Sequence, residues 1–110
     1  MSNPRYRNGH RRREVQAYYR ARRADCYICG RPIDYSLWPP DPWSFVVDET
    51  VAIANGGRVC RANSGPAHRW CNAVKGTHTL EWARAEVKRR LAGGKPAAAS
   101  KPRDFEAADW

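Results

Sequence analysis

Two short pairs of metal-ligating residues with the same spacing constrain the fold of this chain more than any other feature. Cys26 and Cys29 are separated by two residues, and so are His68 and Cys71. A two-residue gap lets both side chains of a pair reach one tetrahedral ion, and thiolate ligands suit Zn²⁺. We therefore predict one structural zinc held by these four residues. Because protein fills all four positions, such a zinc leaves no position open for a substrate.

Cys60 is the remaining cysteine, and it leaves an alternative open in which it replaces His68 in the zinc site. The set with His68 is favoured because it makes two pairs, each with a gap of two residues.

The chain begins Met1-Ser2-Asn3-Pro4-Arg5, with neither an apolar leader nor the roughly 20 apolar residues of a membrane-spanning helix. We therefore expect a cytoplasmic protein without a membrane partner. Thiols stay reduced in that compartment, which favours metal ligation over disulfides.

The charge of the chain favours a polyanionic partner. Its net charge is +9, from 20 Lys and Arg against 11 Asp and Glu, and such a balance is typical of nucleic-acid binding. Eight arginines lie within residues 1–24, and residues 11–23 contain neither Gly nor Pro and could form a helix. Basic segments gain affinity for phosphates by counterion release, although a solvated basic tail is the alternative. The predicted nucleic-acid contacts are Arg11, Arg12, Arg13, Arg20, Arg22, Arg23 and Lys75.

The length of 110 residues predicts one domain whose core is marginal without a metal. Four segments follow from the residue pattern: a basic arm or helix at 1–24, a zinc-stapled core at 25–77, a C-terminal helix at 78–92 and a disordered tail at 93–110. Within the core, residues 43–47 are β-branched and aromatic and predict a strand. Residues 58–60 are a candidate second strand, and residues 68–75 a short helix. Thr79 is the predicted N-cap of the last helix.

Several short motifs occur in a specific order between residues 24 and 78. They are Cys26-x2-Cys29, the pair Asp48-Glu49 at a strand end, Gly56-Gly57, Asn63, the segment Pro66-Ala67-His68-x2-Cys71-Asn72, and Lys75-Gly76. This order resembles the HNH endonuclease family, and closely resembles the small HNH proteins encoded by bacteriophages of actinobacteria. The resemblance covers about half of the chain.

The resemblance implies an α+β fold: a ββα-metal core stapled by the structural zinc, flanked by an N-terminal basic helix and a C-terminal helix. It implies that Asp48 and Asn72 hold a catalytic divalent cation, for which their oxygen donors suit Mg²⁺ or Mn²⁺. Asn63 matches the residue that orients the base and holds the loop. The implied activity is hydrolysis or nicking of phosphodiester bonds in double-stranded DNA, with the cation stabilising charge on the phosphate.

The chain departs from the family pattern at its proposed base. Glu49 stands where the family most often has the catalytic His, and a carboxylate beside a cation is a weaker base than imidazole. Glu49 could instead join the metal shell. The main alternative function is a non-catalytic zinc-containing nucleic-acid-binding module; a more distant one is a zinc ribbon for protein–protein contact, against which the charge argues. By analogy alone, the resemblance also implies phage terminase and portal proteins as partners in genome packaging.

Overall fold

Three helices surround a two-stranded antiparallel sheet in the computed structural model, which describes residues 4–94 and the side chains from residue 9 onward. The elements are α1 (Pro4–Arg22), β1 (Phe45–Glu49), β2 (Ser64–His68), α2 (Arg69–Lys75) and α3 (Leu80–Leu91), with single 3-10 turns at Ile53–Asn55 and Arg61–Asn63. The prediction of a small α+β fold is confirmed at this level. From residue 95 onward, the tail predicted to be disordered lies outside the described residues.

The second strand lies later in the chain than the sequence pattern predicts. Residues 58–60 form no strand, and β2 begins at Ser64 and pairs Pro66 with Val47 and Gly65 with Asp48. Gly and Pro are depleted in strands, so this segment carries little strand signal. Pro66 has no N–H for a ladder, but both strands of a two-stranded sheet are edges, where proline is tolerated. The prediction of a strand at 58–60 is therefore wrong.

Helix α1 is part of the folded core rather than a detached arm. Val15 is 6% exposed and belongs to the same hydrophobic cluster as Val47 of β1 and Val87 of α3. Tyr19 packs against this cluster, and its hydroxyl donates to the Ser64 carbonyl oxygen at 3.1 Å. Burial of apolar side chains from all three predicted segments in one cluster stabilises them together.

Helix α3 begins and ends near the residues that the sequence predicts. The Thr79 hydroxyl accepts a hydrogen bond from the Trp82 backbone N–H at 3.1 Å, which caps the first turn. Ala83, Val87 and Leu91 recur at helical spacing and are buried. α3 packs against α2 and so covers the element that carries Cys71. None of the helices in the described part of the chain has the length and apolar composition that crossing a membrane requires.

Candidate functional site

The Cys3His cluster

Four side chains from distant parts of the chain converge at the junction of β2 and α2. One ligand atom from each of Cys26, Cys29, His68 and Cys71 lies within 4.8 Å of the others. His68 Nδ1 is 3.4 Å from Cys29 Sγ and 3.8 Å from Cys71 Sγ. Ligand atoms about 2.0–2.3 Å from one tetrahedral ion would be separated by distances of this order. The predicted set therefore converges, and it could hold a structural metal such as zinc.

The local backbone explains why each residue points into the cluster. Cys26 and Cys29 lie in a tight turn in which the Gly30 N–H donates to the Cys26 carbonyl at 2.8 Å, and Gly30 has a positive φ of 79°. His68 is the N-cap residue of α2, and Cys71 lies in the first turn of that helix. His68 Nε2 donates to the Pro32 carbonyl at 3.1 Å. That bond orients the ring so that Nδ1 faces the thiols.

The close approach of these groups shifts the pKa values of Cys26, Cys71 and His68. Hydrogen bonds from Cys29 and Cys71 hold the pKa of Cys26 well below its ordinary value, and the corresponding bonds raise the pKa of Cys71. Burial lowers the pKa of His68, but its hydrogen bonds to Cys26 and Cys29 outweigh burial and raise that pKa to about 9. The four side chains therefore interact electrostatically, and the thiolate form of the cysteines is the one that would bind a cation.

Cys60 lies outside the cluster, so the alternative set that uses it in place of His68 is not formed. It precedes the 3-10 turn at Arg61–Asn63 and is half-buried. Its neighbours line a cavity between α1 and that turn and include Arg11, Tyr18 and Arg61.

The Asp48 site and the surrounding charges

Asp48 is a buried carboxylate with two partners. It is 4% exposed on β1, and its Oδ2 accepts a hydrogen bond from the Tyr27 hydroxyl. The Lys75 ammonium lies 3.3 Å from the same oxygen. Burial raises the pKa of Asp48, while Tyr27 and Lys75 act in the opposite direction. Burial also raises the pKa of Tyr27, so the hydroxyl remains a donor.

Lys75 does not contact solvent, and the prediction that it binds nucleic acid is wrong. Its side chain is fully buried, and its ammonium donates to the Glu49 carbonyl oxygen at 3.0 Å besides pairing with Asp48. A buried ammonium without partners would be strongly unfavourable, and these contacts offset the cost. Lys75 is one turn after Asn72 and Cys71, so the helical period turns it toward β1 rather than outward.

Asp48 and Glu49 interact with different helices. Neighbouring strand residues point to opposite faces of a sheet, and Asp48 contacts Lys75 of α2, whereas Glu49 Oε1 lies 3.7 Å from the Arg12 guanidinium of α1. Glu49 is 7% exposed. Arg12 was predicted to bind nucleic acid, but it is half-buried and directs its charge to Glu49.

Asn63 holds the loop that follows β1. Its amide nitrogen donates to the carbonyl oxygens of Val51 and Arg58, each at 2.9 Å, and its Oδ1 accepts from the Val51 N–H at 2.9 Å. A Cβ on Gly57 would lie 1.7 Å from the Val51 carbonyl oxygen, so only glycine allows this close approach. The contacts agree with a loop-holding residue, and any role in orienting a base stays a prediction.

Asn72 is buried on the side of α2 that contacts β1. It is 8% exposed and precedes Lys75 by three residues, which places the two on the same side of the helix. Its role as a metal ligand remains a prediction.

The other predicted nucleic-acid residues lie on the exposed side of α1 and directly after it. Arg11, Arg13, Arg20, Arg22 and Arg23 are exposed. Two of them also make local contacts: the Arg22 guanidinium lies 3.6 Å from the centre of the Tyr18 ring, and Arg20 lies over the Phe45 ring at 5.2 Å. Stacking of this kind keeps the charge at the surface while it fixes part of the side chain.

Sequence reasoning missed Tyr27. It lies between the two cysteines of the first pair, yet its hydroxyl reaches Asp48, 21 residues later in the chain. The sequence contains no signal for this contact, because residues between zinc-binding cysteines have no fixed direction before the sheet is placed.

Comparisons with protein-family models, with curated proteins and with solved structures find no match to this chain. The class of the protein is therefore defined by its own geometry. It is a small α+β domain with a Cys3His cluster that could hold a structural metal. The buried Asp48–Lys75 pair adjoins that cluster through the partly buried Tyr27.

Proposed function

We propose that this chain is a small metal-dependent DNA endonuclease of the HNH kind. The observation that carries the proposal is the buried carboxylate of Asp48 on β1, which faces the helix that follows β2 and carries Asn72. Two antiparallel strands and a helix in this order agree with the ββα arrangement that the sequence resemblance implies.

The chemistry of these side chains fits a divalent cation. An ionised carboxylate offers about four lone-pair positions, and Tyr27 and Lys75 do not use all of them. Asp48 and Asn72 would hold Mg²⁺ or Mn²⁺ through oxygen, the ligand type that these ions prefer. When bound, the cation supplies charge stabilisation at the phosphate and lowers the pKa of bound water.

Glu49 would act as the proton acceptor. Its carboxylate is 7% exposed, and the Arg12 guanidinium lies 3.7 Å from its Oε1. An ionised carboxylate at neutral pH can take a proton from water, more weakly than an imidazole would. Arg12 holds this side chain on the α1 side of the sheet.

The exposed arginines support a nucleic-acid substrate. Arg11, Arg13 and Arg23 are exposed along and directly after α1, on the helix that also carries Arg12. The phosphate backbone would therefore meet exposed positive charge on and directly after the helix that carries Arg12, the partner of Glu49. We propose double-stranded DNA as the substrate, with arginines that contribute affinity rather than sequence choice.

A specific observation favours a second candidate, the zinc-containing nucleic-acid-binding module without catalysis. Both carboxylates of the proposed site already have a cationic partner within the chain: Lys75 lies 3.3 Å from Asp48, and Arg12 lies 3.7 Å from Glu49. A divalent cation at Asp48 would have to tolerate the ammonium beside it.

Nicking of supercoiled plasmid separates the two functions. Zinc-loaded wild-type protein should nick DNA with Mg²⁺ or Mn²⁺, and a chelator that leaves the zinc in place should abolish nicking. Asp48→Ala should remove activity, whereas Asp34→Ala changes an exposed acid whose side chain accepts hydrogen bonds from Ser36 and should leave activity unchanged. DNA binding measured in parallel should be similar in all three proteins. Equal nicking by wild type and Asp48→Ala, or binding without nicking in every metal, would favour the binding module.

A further inference from the structure

We propose that Tyr27 is a positioning residue through which the Cys3His cluster sets the orientation of the Asp48 carboxylate. The inference rests on the proposed function, because it concerns the carboxylate that would hold the catalytic cation. Tyr27 lies between Cys26 and Cys29, so its backbone belongs to the metal-binding turn, and its side chain ends at Asp48.

The Tyr27 backbone is tied to the sheet and to α3. Its N–H donates to the Pro66 carbonyl oxygen at 2.8 Å, which connects the turn to β2. Its carbonyl oxygen accepts from the Arg84 guanidinium of α3 at 2.9 Å. Because both the N–H and the carbonyl group of Tyr27 are hydrogen-bonded, its backbone is fixed, and so is the direction in which its side chain leaves the backbone.

The Tyr27 ring packs against β2 at a position where only glycine fits. A Cβ on Gly65 would lie 2.2 Å from the ring, closer than side chains approach one another. Gly65 is the residue opposite Asp48 in the sheet. The ring therefore crosses β2 at Gly65, and this crossing brings the hydroxyl to the carboxylate on the neighbouring strand.

The hydroxyl and the ammonium hold the carboxylate from two sides. The Tyr27 hydroxyl donates to Asp48 Oδ2 and lies 3.3 Å from the Thr50 hydroxyl. The Lys75 ammonium lies 3.4 Å from Asp48 Oδ1 and 3.3 Å from Oδ2. Two donors in fixed positions restrict rotation of the carboxylate, as partners of metal-binding carboxylates commonly do.

Through Tyr27 and α2, the metal cluster would orient Asp48 in addition to stabilising the fold. A metal on Cys26 and Cys29 would immobilise the turn, and the same metal would bind His68 and Cys71 at the junction of β2 and α2. Both routes lead to Asp48, one through the Tyr27 hydroxyl and one through Lys75 of α2. The metal-loaded cluster therefore aligns the two donors that orient one carboxylate.

Binding of Mn²⁺ alone to the zinc-loaded full chain, measured by electron paramagnetic resonance, tests the inference without DNA or turnover. The signal lost in Asp48→Ala defines the Asp48-dependent site. Tyr27→Phe removes only the hydroxyl and should weaken that site about 10-fold or more, the effect typical of losing a partner of a metal ligand. A 4-aminophenylalanine at position 27 keeps a donor in place and should restore most of the affinity.

Tyr35→Phe is the matched control. The Tyr35 hydroxyl is also half-buried and donates to a carbonyl oxygen, that of Ala24, at 2.6 Å, but it has no contact with Asp48. This variant should bind Mn²⁺ as wild type does, and zinc content should be equal in all variants. Loss of zinc in Tyr27→Phe would mean that the hydroxyl supports the cluster itself, and it would overturn the inference.

The remaining outcomes distinguish the inference from the proposed function. If wild type binds Mn²⁺ more tightly than Asp48→Ala and Tyr27→Phe equals wild type, only the positioning role of Tyr27 is overturned. If wild type and Asp48→Ala bind Mn²⁺ equally, Asp48 is not a ligand. Both the nuclease proposal and this inference then fail together.

Discussion

The Lys75 ammonium lies 3.3 Å from the Asp48 carboxylate, although both side chains are almost completely withdrawn from solvent. The pair joins the end of α2 to β1 and gives a buried carboxylate a compensating charge. It also means that Lys75 acts on the interior of the site and not on the phosphates of a ligand. Whether a divalent cation shares Asp48 with this ammonium decides between the two proposed functions.

Lys75→Met should destabilise the zinc-loaded protein by about 3–5 kcal/mol, because it leaves the buried Asp48 without its cation. The pKa of Asp48, already raised above 3.8 by burial, should rise further without Lys75. A folded-state pKa above the unfolded value means that stability is lost as the pH rises through it. The deficit should therefore grow as the pH rises above about 4, the ordinary pKa of an Asp side chain.

Urea denaturation with excess zinc measures this deficit, with Lys88→Met as the control. Lys88 is exposed on α3, and its replacement should change stability little. The double variant Lys75→Met with Asp48→Asn should recover part of the lost stability, since it removes the uncompensated charge. A Lys75→Met protein as stable as wild type would contradict the importance of the pair.

Cys29→Ser should lose both the bound zinc and the fold, because metal binding and folding are coupled in a small domain. Cys60→Ser should still bind one zinc per chain, since Cys60 lies outside the cluster. Zinc affinity should also weaken as the pH falls, because protons compete for the thiolates. Atomic absorption and circular dichroism report the two losses. Zinc lost in Cys60→Ser and kept in Cys29→Ser would show that the wrong set had been assigned.

Replacing Arg11 and Arg13 with Gln should reduce the salt dependence of duplex DNA binding. Each lost phosphate contact should lower the log–log slope by about 0.9, so the double variant should lose roughly 2. These substitutions leave the buried Val15 in place, whereas deleting the arm would damage the core. Arg89→Gln is the control, because its guanidinium already binds Glu86 at 2.5 Å. Fluorescence anisotropy over a salt series gives the slopes, and equal slopes in all proteins would count against α1 as the contact surface.

Glu49→Gln should lower the nicking rate by about 10²–10⁴-fold while the Mn²⁺ concentration for half-maximal rate stays unchanged, if Glu49 accepts the proton. Glu49→His should retain activity, because imidazole is a stronger base at neutral pH. Glu14→Gln changes an exposed acid on α1 and serves as the control. A higher Mn²⁺ requirement in Glu49→Gln, with the maximal rate preserved, would instead identify Glu49 as a metal ligand.

Those features of the fold that depend on local spacing could be predicted from the sequence. The two pairs, Cys26 with Cys29 and His68 with Cys71, converge as their spacing indicates. Helix α3 forms with Thr79 as its cap and with its apolar residues inward. These signals are local: a turn or a helix directs side chains a few residues apart, whatever the rest of the chain does.

Strand β2 could not be found in this way. Its residues, from Ser64 to His68, include glycine and proline and have little intrinsic preference for a strand. They form one because β1 pairs with them and because Gly65 leaves room for the Tyr27 ring. Val59, which is β-branched, gives residues 58–60 a stronger local strand signal, but this segment has no partner strand among the described residues.

The sequence by itself determined which residues could bind a metal, where α2 and α3 lie and that the chain is basic, whereas α1 begins at Pro4, seven residues before the predicted helix. Only the tertiary structure decided what the charged side chains contact. In the folded chain Lys75 contacts Asp48, and Arg12 contacts Glu49. The Tyr27 side chain passes β2 and donates to Asp48. The physical reason is that metal-ligand spacing and helix periodicity act over a few residues. The partner of a buried charge, in contrast, is set by the pairing of strands and the packing of helices far apart in the chain.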